Sequence, residues 1–198
     1  MLLRLLVVLA VLSAGGRAWA DEAKGFDLGF VRPGMSLTDF RRAFDNKDIR
    51  VVCGGEDMAL APSLAAALTL EDGMVAAGLN RCRHLQKSKA KGKNPAWTSV
   101  LVKLGGTCCV DLFVTTVVID GEPRVAQINA KAGEQAFMEL MVDFAVEYGP
   151  PDSFDETKAI WRRPTHTAAL LANDGATFLV IFDHALKAEW DKRLGRGG

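Results

Sequence analysis

The sequence predicts an α+β protein: an antiparallel sheet with helices packed on one face, built as two loosely similar halves. Three features carry that expectation. A run dense in β-branched and aromatic residues, 107–119, meets a turn at Asp120-Gly121 and returns as a second arm to Lys131. Amphipathic helical patterns begin at Ser36 and near Glu134, each followed by strand-like segments, which makes a weak internal repeat. A second hairpin turn, Asn173-Asp174-Gly175, joins two more apolar stretches near the end.

The 198-residue chain opens Met-Leu-Leu-Arg, stays apolar from Leu5 to Leu12, and reaches the small residues of Ala18-Trp19-Ala20. That layout predicts a secretory signal peptide over residues 1–20, cut before Asp21. Its apolar core is too short for a bilayer, which needs about 20 residues. An uncleaved membrane anchor is the alternative. No later segment is expected to span a membrane. The remainder, 21–198, is expected to be a single exported α+β domain, periplasmic or secreted, with halves roughly 29–130 and 131–194.

Charge narrows the partners. Arg4 and Arg17 leave with the leader, so 24 basic groups fall to 22 against 24 acids, a formal net of −2. A nucleic-acid binder would show a concentrated basic excess, so none is expected. The four cysteines, Cys53, Cys82, Cys108 and Cys109, read as disulfide partners in an exported chain. Neighbours on a strand point to opposite faces, so Cys108 and Cys109 are each expected to reach Cys53 or Cys82, in an order the sequence does not select. The alternative is a vicinal disulfide or a soft-metal pair at Cys108-Cys109.

Along the chain, Ser36 is a natural N-cap with Asp39 three residues on, and Leu37, Phe40 and Phe44 fall at helical spacing to about Asn46. Ile49 to Cys53 reads as a strand stopped by Gly54-Gly55. The run from Leu60 to Leu70 fits a helix or two short strands. Asp72-Gly73 signals a turn, with an extended piece from Val75 to Cys82. The basic stretch 81–95 carries Arg81, Arg83, Lys87, Lys89, Lys91 and Lys93 and reads as a solvated loop. As a functional patch it would meet an anionic partner. Trp97 to Leu104 resumes a strand, and Gly105-Gly106 turns it into the central hairpin.

That hairpin departs from strict alternation at Ala126. Phe137, Leu140, Met141, Phe144, Ala145 and Tyr148 then follow the i, i+3, i+4, i+7 rule, and Gly149-Pro150-Pro151 stops the helix. Strands follow at 159–163, 167–172 and 176–182. A last helix, 185–194, puts Leu186, Trp190 and Leu194 on one side.

Gly34-Met35-Ser36 resembles the Gly-Met-Ser/Thr opening of the BamE/SmpA-like outer-membrane assembly lipoprotein family, and Tyr148-Gly149-Pro150 resembles its Gly-x-Pro ending. The tandem layout is similar to the β-lactamase-inhibitor-protein fold, with helices on one face of an antiparallel sheet. The resemblance implies a non-enzymatic protein that binds another protein of the cell envelope. The chain departs from the family in having no lipid-bearing cysteine.

Catalytic patterns are missing. His84, His166 and His184 have no metal-ligand spacing, and neither a Gly-x-Ser-x-Gly elbow nor a phosphate loop occurs. A metal site around Asp183 and His184 is weighed against capping or surface roles. Asp111, Glu122 and Asp143 would make a glycosidase pair only if the fold gathered them. The expectation is an envelope-associated binding protein with no cofactor and no metal. A small-molecule or soft-metal binder using Cys108-Cys109, and a hydrolase, are the alternatives.

Overall fold

The structure is a computed structural model and describes residues 25–44, 46–55, 66–87 and 97–196. The expected leader, Lys89, Lys91 and Lys93, and most of the 60–70 run lie outside the described residues.

One antiparallel sheet organises the molecule. Its strands are β1 (Ile49–Cys53), β2 (Leu79–Lys87), β3 (Trp97–Ser99), β4 (Leu101–Leu104), β5 (Thr107–Ile119), β6 (Glu122–Gly133), β7 (Ser153–Phe154), β8 (Lys158–Arg162), β9 (His166–Asn173) and β10 (Ala176–Asp183). They lie in the order β1-β2-β5-β6-β10-β9-β8-β7, with β3 paired to β2 and β4 to β5. Among the described residues the helices are α1 (Leu37–Arg42), α2 (Asp72–Ala76), α3 (Ala136–Tyr148) and α4 (His184–Arg193), and residues 66–68 are helical as well.

The central hairpin forms as its sequence requires. Asp120 and Gly121 both take positive φ, 51° and 81°, the conformation of the tight turns that suit the twist of paired strands. Asp174 and Gly175 do the same between β9 and β10. The irregularity at Ala126 is a β-bulge: Thr115 pairs with Gln127 and Thr116 with Val125, leaving Ala126 as the extra residue.

Side-chain alternation sorts the sheet into two faces. One cross-strand row reads Cys53, Cys82, Val114, Ile128, Ile181, Ala168, Trp161, and every member is fully buried. Helices α1 and α3 cover this face, contributing Phe40 from the first and Phe137, Leu140, Phe144 and Tyr148 from the second to the same core. Ser36 caps α1 by accepting from the Asp39 amide, and its hydroxyl donates to the Asp39 carboxylate. The Gly34-Met35-Ser36 opening also bonds β6 through Val125. Gly149 ends α3 with φ 82° and ψ 176°, positive but extended rather than left-handed helical.

Several expectations are corrected. The helices do not all share one face. α4 sends Trp190 against Leu79, Val117 and Ala126, which alternate with the main core residues and so belong to the opposite side. Val75 is not extended, because Asp72-Gly73 opens the short helix α2 and the strand starts only at Leu79. Trp97 to Leu104 is broken at Val100, where the chain passes from pairing β2 to pairing β5. The basic stretch is no solvated loop between Arg81 and Lys87. It is strand β2, with Arg83 and His84 buried.

Cysteine pairing is corrected as well. Cys53 and Cys82 face each other across β1 and β2 and are joined to each other, so neither is left for the central hairpin. Cys108 and Cys109 are free and exposed.

Candidate functional site

Among the described residues α4 covers only part of the face opposite the main core, and beside it the sheet forms a concavity of about 290 Å³. Strand periodicity builds it. Arg81 and Arg83 are alternate residues of β2, Asp111 and Phe113 of β5, Asn129 and Lys131 of β6, Phe178 and Val180 of β10. Register sets them side by side: Phe113 opposite Asn129 opposite Val180, and Asp111 opposite Lys131 opposite Phe178.

The electrostatics are unusual for a sheet surface. Arg83 is only 3% exposed, yet it carries a charge. Its two terminal nitrogens are engaged, one donating to the Ser99 hydroxyl at 2.8 Å and one to the Asp111 carboxylate at 3.2 Å. Arg81 donates to the Ala67 carbonyl. Both guanidinium groups lie over the Phe113 ring, at 4.9 and 5.8 Å, and Lys131 lies over Phe178 at 5.6 Å. Burial, and next the nearby Arg83 charge, push the Arg81 pKa below its ordinary value.

Polar groups here are left over. Among the described residues six buried side-chain nitrogen or oxygen atoms have no hydrogen-bond partner, and four of them belong to this concavity: Arg81 Nε, Arg83 Nε, Asp111 Oδ1 and Asn129 Nδ2. An orphaned buried polar group costs about 1–3 kcal/mol, and four together leave more unused hydrogen-bonding capacity here than elsewhere among the described residues. Three are donors. With Arg81, Arg83 and Lys131 against Asp111, the concavity carries an excess of basic side chains.

A larger depression of about 520 Å³ lies between α3 and the β4–β5 turn, lined by Asp27, Lys103, Asp143 and Glu147 beside Leu140 and Phe144. Size alone does not make it the better site. Asp143 is engaged, accepting from the Gly106 amide at 2.7 Å, and none of the orphaned atoms lies there.

The structure brings Arg81 and Arg83 together but not Lys87, which stands four residues beyond Arg83, about 13 Å along the strand. Phe113, Asn129, Lys131 and Phe178 escaped the sequence reading. Their only signal was the polar phase of β6 and the aromatic residues interrupting two apolar strands.

The other chemical candidates disperse. Asp111 pairs with Arg83, Glu122 with Arg124 and Asp143 with the Gly106 amide, three separate commitments. His84 Nε2 lies 2.9 Å from the Phe40 carbonyl, and its ring stacks edge-on against Phe40 and Phe44. Burial lowers its pKa to about 4. His166 approaches Asp183 at 3.4 Å, while His184 contacts Thr167 and the Pro164 carbonyl. No group of three or more His, Cys, Asp or Glu side chains gathers as metal ligands among the described residues. No described helix is long and apolar enough to cross a membrane.

The fold and site together define an α+β protein with a cationic, aromatic-floored concavity on one face of a broad antiparallel sheet. Compared with protein-family models, with curated proteins and with solved structures, the chain matches none.

Proposed function

We propose that the chain is an exported, envelope-associated binding protein without catalytic activity, and that it holds a carboxylate joined to an apolar group in the Arg81–Arg83–Phe113 concavity. Three orphaned donors on residues that line one concavity, two of them on guanidinium groups stacked over Phe113, carry this reading. Arg81, with its Nε unpartnered and one terminal nitrogen bonded to Ala67, is the guanidinium that offers the forked geometry a carboxylate accepts. Phe113, Phe178 and Val180 supply apolar walls, and Asn129 adds a neutral donor. The expected leader, the Cys53–Cys82 bond and the resemblance to envelope assembly proteins support export and an envelope partner. Such a partner presents the group as a chain segment ending in an aromatic residue, whereas a free ligand presents it as a small aryl acid.

Calorimetric titration tests this with three probes: N-acetylphenylalanine, its amide, and a hexapeptide ending in Phe with a free carboxylate. The acid should bind at least tenfold more tightly than the amide, and binding should weaken as salt rises. Arg81→Gln and Arg83→Met should each reduce it tenfold or more. Because Arg83 is buried, the half-buried Arg81 provides the variant least able to disturb folding. A peptide that outbinds the small acid points to a protein partner, and the reverse points to a free ligand. Equal binding of acid and amide, or no binding by either acid or peptide, sinks the proposal.

A further inference from the structure

The two cysteines at the start of β5 stand in a configuration that ordinary strand geometry forbids. Successive side chains of a regular strand point to opposite faces, yet Cys108 Sγ and Cys109 Sγ lie 2.6 Å apart. A bulge produces this arrangement. Leu104 pairs with Thr107 and Val102 with Val110, so Lys103 alone stands opposite both cysteines. Cys109 completes the distortion with φ 65°, a backbone region that side chains other than glycine, asparagine and aspartate seldom occupy.

The separation discriminates between two chemistries. A tetrahedral metal held through bonds of about 2.3 Å would keep its two sulfurs roughly 3.7 Å apart. A disulfide needs about 2.05 Å, so the observed spacing of 2.6 Å lies between the two and nearer to the bond. Both cysteines are exposed, whereas Cys53 and Cys82 are fully buried within the core row. One chain thus carries an enclosed bond that reagents do not reach and an open pair that they do.

We propose that Cys108 and Cys109 are a vicinal thiol–disulfide couple that exchanges with disulfides from outside the chain. One of the two, as its thiolate, attacks a sulfur of an external disulfide, forms a mixed disulfide and releases a first thiol. The neighbour then loses its proton and attacks the chain's own sulfur of that mixed disulfide. This closes the Cys108–Cys109 bond and releases a second thiol. Two cysteines are oxidised, one external disulfide is reduced to two thiols, and the protons leave with those thiols. The bulge supplies the proximity on which the second step depends, because the resolving sulfur already lies beside the attacked one.

The test equilibrates the full chain with a graded series of reduced and oxidised glutathione. Acid quenching, alkylation with N-ethylmaleimide and peptide mass mapping follow. Both alkylation sites should vanish together through one transition, leaving the peptide that spans them lighter by two hydrogens, while Cys53–Cys82 stays oxidised throughout. Cys108→Ala and Cys109→Ala should each accumulate the glutathione mixed disulfide, since the resolving thiol is gone. The persistence of Cys53–Cys82 in the same digests reports that each variant is folded. Alkylation of both thiols across the whole series overturns the proposal. So does a wild-type chain that stops at the mixed disulfide, or one that bonds either cysteine to Cys53 or Cys82.

Discussion

His84 shows how one side chain can tie acid sensitivity to packing. It sits between Phe40 and Phe44 of the α1 region and opposite Val51 of β1, with its Nε2 on the Phe40 carbonyl. That contact requires the neutral ring to carry its proton on Nε2 and donate it. Desolvation lowers its pKa from 6.5 to about 4, although the Phe40 hydrogen bond acts in the opposite direction. Between those values the unfolded chain binds the proton more readily than the folded one, so stability falls as pH drops through that window. The contribution at stake is about 3 kcal/mol. Urea denaturation at pH 7.5 and pH 4.5 should show that loss, and His84→Gln should flatten it. An unchanged pH slope in the variant would remove His84 as its cause. Neither His84 nor Arg83 was legible as a buried residue. Composition places charged and basic side chains in solvent, and a lysine-rich neighbourhood strengthens that assignment. What reverses it is pairing with β1, the Asp111 and Phe113 side chains of β5 against Arg83, and the Phe40 and Phe44 rings against His84, all distant in sequence.

At the scale of elements, local chemistry was a good guide wherever a turn required it. Asp120-Gly121 and Asn173-Asp174-Gly175 both form hairpins, and the lapse in alternation at Ala126 was the bulge showing through. Asp72-Gly73 misled because Asp is as much at home in the first turn of a helix as in a tight turn, and Glu71 precedes it as the N-cap. The β4–β5 turn shows a tighter demand. Gly105 has φ 56°, and a Cβ there would lie 2.1 Å from the Asp143 carboxylate of α3. That carboxylate is held by the neighbouring Gly106 amide, so it cannot swing aside without losing the bond. Gly105→Ala should therefore destabilise the protein by about 2–3 kcal/mol. Gly121→Ala, where φ is 81° but the space is open, should cost only about 1 kcal/mol. Urea midpoints at a common slope compare the two, and equal losses would show that the contact with α3 is not responsible.

For the whole molecule, β6 is the member on which unity depends. It bonds β5 of the first half and β10 of the second, and it sends Val125 into one core and Ala126 into the other. We expect the two halves to unfold as one cooperative unit. Trp161 lies in the main core and Trp190 in the smaller one, so tryptophan fluorescence samples both. Its transition should coincide with that of far-ultraviolet circular dichroism, and two separated midpoints would show independent halves. The order of the elements, with α1 before β1 and α3 before β7 to β10, was legible in the sequence. The placement of α4 was not, since an amphipathic stripe shows that a helix buries one side but not which layer receives it.

The short β7 has a bearing on recruitment that its size conceals. It offers a visiting strand only two residues of backbone at that border, one residue beyond Pro150-Pro151. Edge-to-edge addition there has almost no ladder to copy. A strand arriving at that rim would therefore meet side chains rather than a row of open main-chain hydrogen bonds.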